Sequence, residues 1–325
     1  MDVRGTPGYP CPTMTQHPDR ILAGVALMIG FCIIAPLIDV ASKLAAQEVP
    51  VATVTLARFV TQALLMAPIL PLMGLGFGMG RRAMALTLLR SAVSVTSTLC
   101  FIAAVKVMPI ADALAIAFVE PFIILLIGRF WMHEQVGPRR LAASVVGFLG
   151  ALLVIQPSFS HFGAVALLPL GTALSFALYI LVTRSLSRHM HPVAMNFWTA
   201  VVAAVLCLPV FLLGELTGEP AFAFVWPQGL NLVWCACVGL AATVSHMSMT
   251  YALRYAPSST LAPLHYLEIV TAALLGYLVF SDWPDALTWT GIAVIVGSGL
   301  YIIHRERLTV RAARLATVSV SAEPR

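Results

Sequence analysis

The sequence predicts an all-α polytopic membrane protein: ten transmembrane helices arranged as two inverted five-helix repeats. Three observations lead there. Hydrophobic residues make up 60% of the 325-residue chain, charged residues only 10%, and the mean hydropathy is +0.93, outside the range of soluble domains. Apolar runs recur between short polar turns, each near the ~20 residues that cross a hydrocarbon layer. Finally, one segment occurs twice. PIADALAIAFVEPFIILLIGRFWMHE from Pro109 and PSSTLAPLHYLEIVTAALLGYLVFSD from Pro257 align at a constant offset, with Glu120 on Glu268, Gly128 on Gly276 and Glu134 on Asp282. Internal repetition of this kind organises the whole reading.

The apolar runs fall at 21–43, 51–73, 83–105, 109–132, 141–155, 163–181, 192–214, 230–253, 258–280 and 288–304. The fifth is short, and the stem of Arg140 and the turn at Gln156 bring it to length. Residues 21–157 therefore form a first repeat and 163–307 a second. The polar, proline-rich residues 1–20 read as a disordered tail rather than a cleaved signal peptide, and 308–325 as a second tail. Arginines gather at alternate turns: Arg20, Arg81 and Arg82, Arg139 and Arg140, Arg184 and Arg188, Arg254, and Arg305 to Arg314. The opposite turns carry Glu48, Glu215, Glu219 and Asp282, with Lys106 as their basic residue. The basic side faces the cytoplasm, so both termini are expected there. This distribution assigns the net charge of +5 to membrane orientation rather than to nucleic acid.

Five helices per repeat is an odd number, so the second copy enters the membrane upside down relative to the first. Inverted repeats are the sequence sign of alternating access, with the substrate site near the midplane between the halves. Glu120 and Glu268 each lie about eleven residues into a span. A carboxylate at that depth costs on the order of 2.5–3.5 kcal/mol on insertion scales and marks a cavity, a partner or a proton site. Pro121 lacks an N–H, so the Ala117 carbonyl loses its helical partner and a kink is expected beside Glu120.

His265, three residues before Glu268, shares its helical face, with Tyr266 beside it; the pair could shape a cavity or relay a proton. Asp39 and Lys43 are spaced for an i, i+4 ion pair; both are also candidates for the substrate or proton pathway, with Lys43 and Arg58 binding an anionic group. Arg58 lies roughly 10 Å into the second helix at ~1.5 Å per residue, too deep for an anchor, and suits Asp39 or a substrate carboxylate as partner. Arg90 reads as a structural or interfacial charge. Asn196 and Trp198, with His246 and Tyr179, are polar or amphipathic groups that could line the path. Cys11, Cys32, Cys100, Cys207, Cys235 and Cys237 have neither framework nor metal-ligand spacing and read as small apolar residues. The required groups of metalloproteases, serine hydrolases and P-loop ATPases are missing from the sequence, so the expectation is a carrier rather than an enzyme, without cofactor or metal.

These residues resemble the EamA family of the drug/metabolite transporter superfamily. The resemblance rests on Lys43, Arg58-Phe59, Arg90, PIADALAIAFVEP from Pro109 to Pro121, Glu134 and GFLGALLVIQP from Gly147 in the first half. In the second half it rests on ALSFALYILVTR from Ala173, TYALRYAPSSTLAPLHYLEIV from Thr250 and GSGLYIIHRE from Gly297. It covers residues 21 to 307, with Asp282 departing from Glu134 at the equivalent position. It implies a ten-helix inner-membrane carrier of small metabolites, near the branch that exports amino acids. Similar proteins import S-adenosylmethionine or riboflavin, so direction does not carry over, and a non-transporting scaffold or sensor is the remaining alternative. The expected partners are a small-molecule substrate, the lipid bilayer and protons as candidate coupling ion. Oligomeric state stays open, because Gly147 and Gly150 can pack helices within or between protomers.

Overall fold

A computed structural model of the chain describes residues 18–76, 78–107, 110–131, 137–155, 163–187, 189–280 and 286–321. The expectations for the N-terminal tail before residue 18 and for Glu134, Arg188 and Asp282 lie outside these residues. Every regular element described is helical. In chain order they are α1 (Pro18–Ala45), α2 (Val51–Met66), the single turn α3 (Ile69–Leu72), α4 (Arg81–Val107), α5 (Ile110–Ala117), α6 (Glu120–Trp131) and α7 (Pro138–Ile155). The chain continues with α8 (Leu167–Leu186), α9 (Pro192–Thr217), α10 (Leu230–Tyr255), the single turn α11 (Ser258–Leu261), α12 (Leu267–Phe280) and α13 (Ala286–Ser321). Helix α13 carries on through residues 308–321, which the sequence reading had placed in a tail.

Six of the described spans are long and apolar enough to cross a membrane: Arg20–Ala45, Val51–Leu72, Arg81–Val107, Ala164–Leu186, Pro192–Thr217 and Leu230–Tyr255. The protein is accordingly a multi-pass membrane protein. Large apolar side chains such as Leu64, Phe130, Leu212 and Leu278 point outward, where lipid rather than water meets them.

Two apolar runs that read as single helices are broken in two. In the run 109–132, α5 ends at Ala117 and α6 starts at Glu120. Pro121 cannot donate to the Ala117 carbonyl, and the Phe122 N–H bonds the Val119 carbonyl at 3.1 Å instead of reaching Phe118. The consequence is a full interruption rather than the expected kink. In the run 258–280, a 3-10 segment, Ala262–Tyr266, separates α11 from α12. Pro263 lies inside it, and the tighter turn shifts every side chain around the axis relative to an α-helix.

The packing brings distant segments together. Helix α1 lies along α10, α4 along α8, α2 along α9, and α7 along α13; α10 also meets α2, and α4 meets α9. One core cluster joins Met28 and Phe31 of α1, Ile124 of α6, Ile180 of α8 and Met249 and Leu253 of α10. Small residues permit the closest approaches. A Cβ at Gly239 of α10 would lie 2.3 Å from Thr61 Cβ of α2, and one at Gly147 of α7 would lie 2.5 Å from Tyr266 Cδ2.

Candidate functional site

Both helix breaks deliver a carboxylate to the same place. Glu120 is the first residue of α6 and Glu268 lies in the first turn of α12. The partial positive charge of a helix N-terminus favours an acidic side chain there. Glu120 and Glu268 line one cavity together with Asp39 of α1, Arg58 of α2, Thr98 of α4 and His246 of α10. The cavity offers about 120 Å³ to the centres of water-sized molecules, several times the ~10–15 Å³ that a single water needs on that measure. Ala117, the last residue of α5, also belongs to the lining.

Arg58 is 7% exposed and His246 4%. The Arg58 guanidinium donates to Thr98 Oγ1 and, at 2.6 Å, meets His246 Nε2. A guanidinium only donates, so His246 Nε2 accepts, the imidazole is neutral and its proton sits on Nδ1. Arg58 Nε and His246 Nδ1 have no hydrogen-bond partner among the described residues. Both are therefore buried donors at the cavity, available to an acceptor on a bound molecule.

Aromatic rings form one wall. Phe31 stacks on His265 at 5.3 Å and on Phe176 at 6.5 Å, and Phe176 stacks on Tyr179 at 5.6 Å. His265 Nδ1 stands 3.4 Å from Glu120 Oε1, a polar contact without hydrogen-bond geometry. The α-helical spacing had put His265 on the face of Glu268; the 3-10 segment brings it to the other carboxylate.

Arg90 anchors the opposite, arginine-rich side of the molecule. It is 0% exposed, and its guanidinium donates to Thr183 Oγ1 (2.7 Å), Tyr179 OH (2.6 Å), Asn196 Oδ1 (3.2 Å), Thr250 Oγ1 and the Met195 carbonyl (both 3.4 Å), and Thr199 Oγ1. These acceptors sit on α8, α9 and α10, so one side chain of α4 grips three other helices. Nearby, Arg184 donates to the Leu253 and Arg254 carbonyls, and Arg140 to Ser259 Oγ at 3.1 Å. The cavity thus lies on one side of Tyr179 and His246, and the hydrogen-bonded Arg90 cluster on the other.

Of the residues singled out in the sequence, Glu120, Glu268, Arg58 and Asp39 are brought together in the cavity wall, with His265 against Glu120. Lys43 is half-buried near the end of α1 and makes no ion pair with Asp39 among the described residues; Asp39 turns to the cavity instead. Asn196 belongs to the Arg90 cluster, and Trp198 packs edge-on to Phe197 at 5.3 Å, so neither lines the cavity. Tyr266 sits behind the wall against Phe118 and Gly147, its hydroxyl donating to the Phe118 carbonyl at 3.2 Å. It supports the break beside Glu120 rather than shaping the cavity. Tyr266→Phe is expected to cost about 1–3 kcal/mol, the cost of leaving a buried carbonyl without a donor. A thermal midpoint in detergent unchanged from wild type would show that the carbonyl has another partner.

The hydroxyl row of α4 escaped sequence reasoning, which named His246 and Tyr179 only as path-lining candidates, without their partners Arg58 and Arg90. Ser91, Ser94 and Ser97-Thr98 repeat at helical spacing beside Arg90. Such a polar stripe in an apolar span was the available signal.

A multi-pass helical protein with a polar cavity at two helix breaks has the build of a membrane transport protein. The chain belongs to the EamA-like transporter family, whose profile matches twice, over residues 22–156 and 163–304. Among similar curated proteins is a riboflavin transporter of Rhizobium johnstonii, 32% identical over 208 residues, covering 63% of this chain and 66% of that protein. An S-adenosylmethionine uptake transporter of Rickettsia felis is 28% identical over 199 residues, covering 61% and 65%. The match thus spans a little under two thirds of the length of both. A pseudopaline exporter of Pseudomonas aeruginosa is 26% identical over 279 residues, covering 86% of this chain and 95% of that protein. One crystal structure superposes with a TM-score of 0.69 at 20% identity, over 87% of this chain and 98% of the other; at that identity the likeness concerns the fold.

Proposed function

We propose that the protein is a secondary transporter that exports amino acids or related small metabolites across the inner membrane by alternating access. It works as a carrier rather than an enzyme, with both termini in the cytoplasm and protons as coupling ion. The two moving units are the inverted repeats 21–157 and 163–307, ten spans in all, with the broken segments as the fourth and ninth. The packing supports this pairing. Exchanging α1 with α8, α2 with α9, α4 with α10 and α6 with α12 converts the α1–α10 contact into α8–α4, the α2–α10 contact into α9–α4, and α1–α12 into α8–α6, each of which occurs. The double match of the family profile points the same way.

The observation that carries the reading is the cavity itself. It places a guanidinium with an unused N–H near carboxylates at the two helix breaks, a complement for a zwitterion's carboxylate and ammonium. Arg58 takes the anionic group, Glu120 and Glu268 the cationic one, and His265 holds Glu120 in place. Alternating access requires the hollow and the closed sides to exchange, so the Arg90 cluster opens when the cavity closes.

The test compares metabolites in cells and medium for wild type and Glu120→Gln at equal membrane abundance. Wild type is expected to move a compound from cells to medium, and the variant to abolish that movement. Near-normal flux in the variant would remove Glu120 from the mechanism. Accumulation inside the cells would reverse the direction, in line with the uptake that the name of the Rickettsia relative states. Absence of any wild-type flux over a broad metabolite panel would favour a scaffold or sensor.

A further inference from the structure

We infer that the substrate carries net positive charge and a flat ring: an amine-bearing aromatic metabolite with more cationic than anionic centres. This rests on the transport reading and narrows its substrate class. The described cavity lining holds three carboxylates, Asp39, Glu120 and Glu268, against one guanidinium, Arg58. His246 adds no charge, because its Nε2 accepts from Arg58. The carboxylates come from three separate elements, α1, α6 and α12, so the local needs of a single helix do not account for their convergence. A simple zwitterion brings one positive and one negative group and leaves the excess of acid uncorrected. In a membrane interior an uncorrected excess is costly. Protons and water can balance the empty cavity; the occupied one excludes much of that water, and the substrate supplies the balance.

A second observation points to the same class. Four phenylalanines, Phe31, Phe101, Phe118 and Phe176, belong to the same lining. Phe31 and Phe176 lie within 22° of parallel, and together with Phe101 and Phe118 they make much of the apolar lining aromatic, a surface suited to a ring-bearing guest. Aromatic faces also attract cations rather than anions. The acceptor for the Arg58 Nε–H can be a carboxylate or a carbonyl, so the recognition of Arg58 does not itself require a net anion.

Three matched probes separate charge from shape: L-tryptophan amide, L-tryptophan and N-acetyl-L-tryptophan share one ring and one skeleton and differ in net charge as +1, 0 and −1. Binding to the purified full-length protein in nanodiscs is measured by calorimetry, with Asp39→Asn alongside. The amide is expected to bind about tenfold or more tighter than tryptophan, a difference of ~1.4 kcal/mol, and the N-acetyl compound least. Asp39→Asn is expected to narrow the amide-to-tryptophan ratio. Because the readout is a ratio between ligands in one protein, a loss of stability in the variant cancels. Equal or inverse ranking, or no binding by any probe, overturns the inference. The metabolite comparison above judges the carrier reading separately. A protein that exports a metabolite yet prefers tryptophan keeps that reading and loses this one.

Discussion

Arg90→Leu is expected to lower the thermal midpoint of the purified protein more than a change at any lipid-facing site, with a loss on the order of 3–5 kcal/mol, as for removing one side of a buried charged network. Thr183, Thr199 and Thr250 each donate their hydroxyl hydrogen back to their own helix, to the carbonyls of Tyr179, Met195 and His246 at 2.6 to 2.7 Å. Their lone pairs are thereby turned toward the guanidinium. Leucine fills much of the volume but leaves those oxygens, the Asn196 amide oxygen and Tyr179 OH facing an apolar group. The Tyr179 ring also loses a cation 4.4 Å from its centroid. Arg90→Lys keeps the charge without the planar fork and should fall between wild type and leucine. A midpoint at or above wild type for the leucine variant would mean that desolvating the guanidinium costs more than its bonds return, and the Arg90 cluster would not be what closes this side.

A side chain at Gly239 is expected to have an effect of similar size through packing alone. Gly239→Leu drives a branched group into Thr61, whose Cβ and Cγ2 already lie 2.3 and 2.7 Å from the first added carbon. Contacts under 3 Å force α2 and α10 apart, and overpacking typically costs about 1–3 kcal/mol, more where two helices must separate. The separation would propagate to the cavity, because Arg58 of α2 and His246 of α10 bond across this interface. The milder Gly239→Ala combined with Thr61→Gly exchanges knob and hole. It should recover most of the midpoint lost by Gly239→Ala alone, measured by thermal unfolding in detergent. Failure of that rescue would mean that the loss arises elsewhere.

The carboxylates were readable because an acid in an apolar run stands out against its background, and because the repeat shows it twice. Pro121 announced a kink beside Glu120 for the same local reason, though not the full interruption between α5 and α6. Arg58 was legible from depth alone. Its partners were not, since Thr98 and His246 lie 40 and 188 residues away and only the folded packing of α2, α4 and α10 joins them. Tyr266 and His265 were placed by α-helical spacing, and the 3-10 geometry around Pro263 turned them to other neighbours. Asp39 and Lys43 illustrate the opposite error. Local spacing favoured an ion pair worth a few tenths of a kcal/mol, and the tertiary placement of Asp39 at the cavity overrode it.

The Arg90 cluster has one further consequence, for how the molecule can be taken apart and rebuilt. Across the cluster the guanidinium donor belongs to α4 and every acceptor it meets to α8, α9 or α10, so the two halves are lock and key rather than interchangeable copies. A chain severed within residues 156–162 and co-expressed as two polypeptides retains that complementarity. A tandem of two first halves would bring two guanidiniums and none of their acceptors, and a tandem of two second halves the reverse. Whatever ancestry the halves share, each has become unable to substitute for the other.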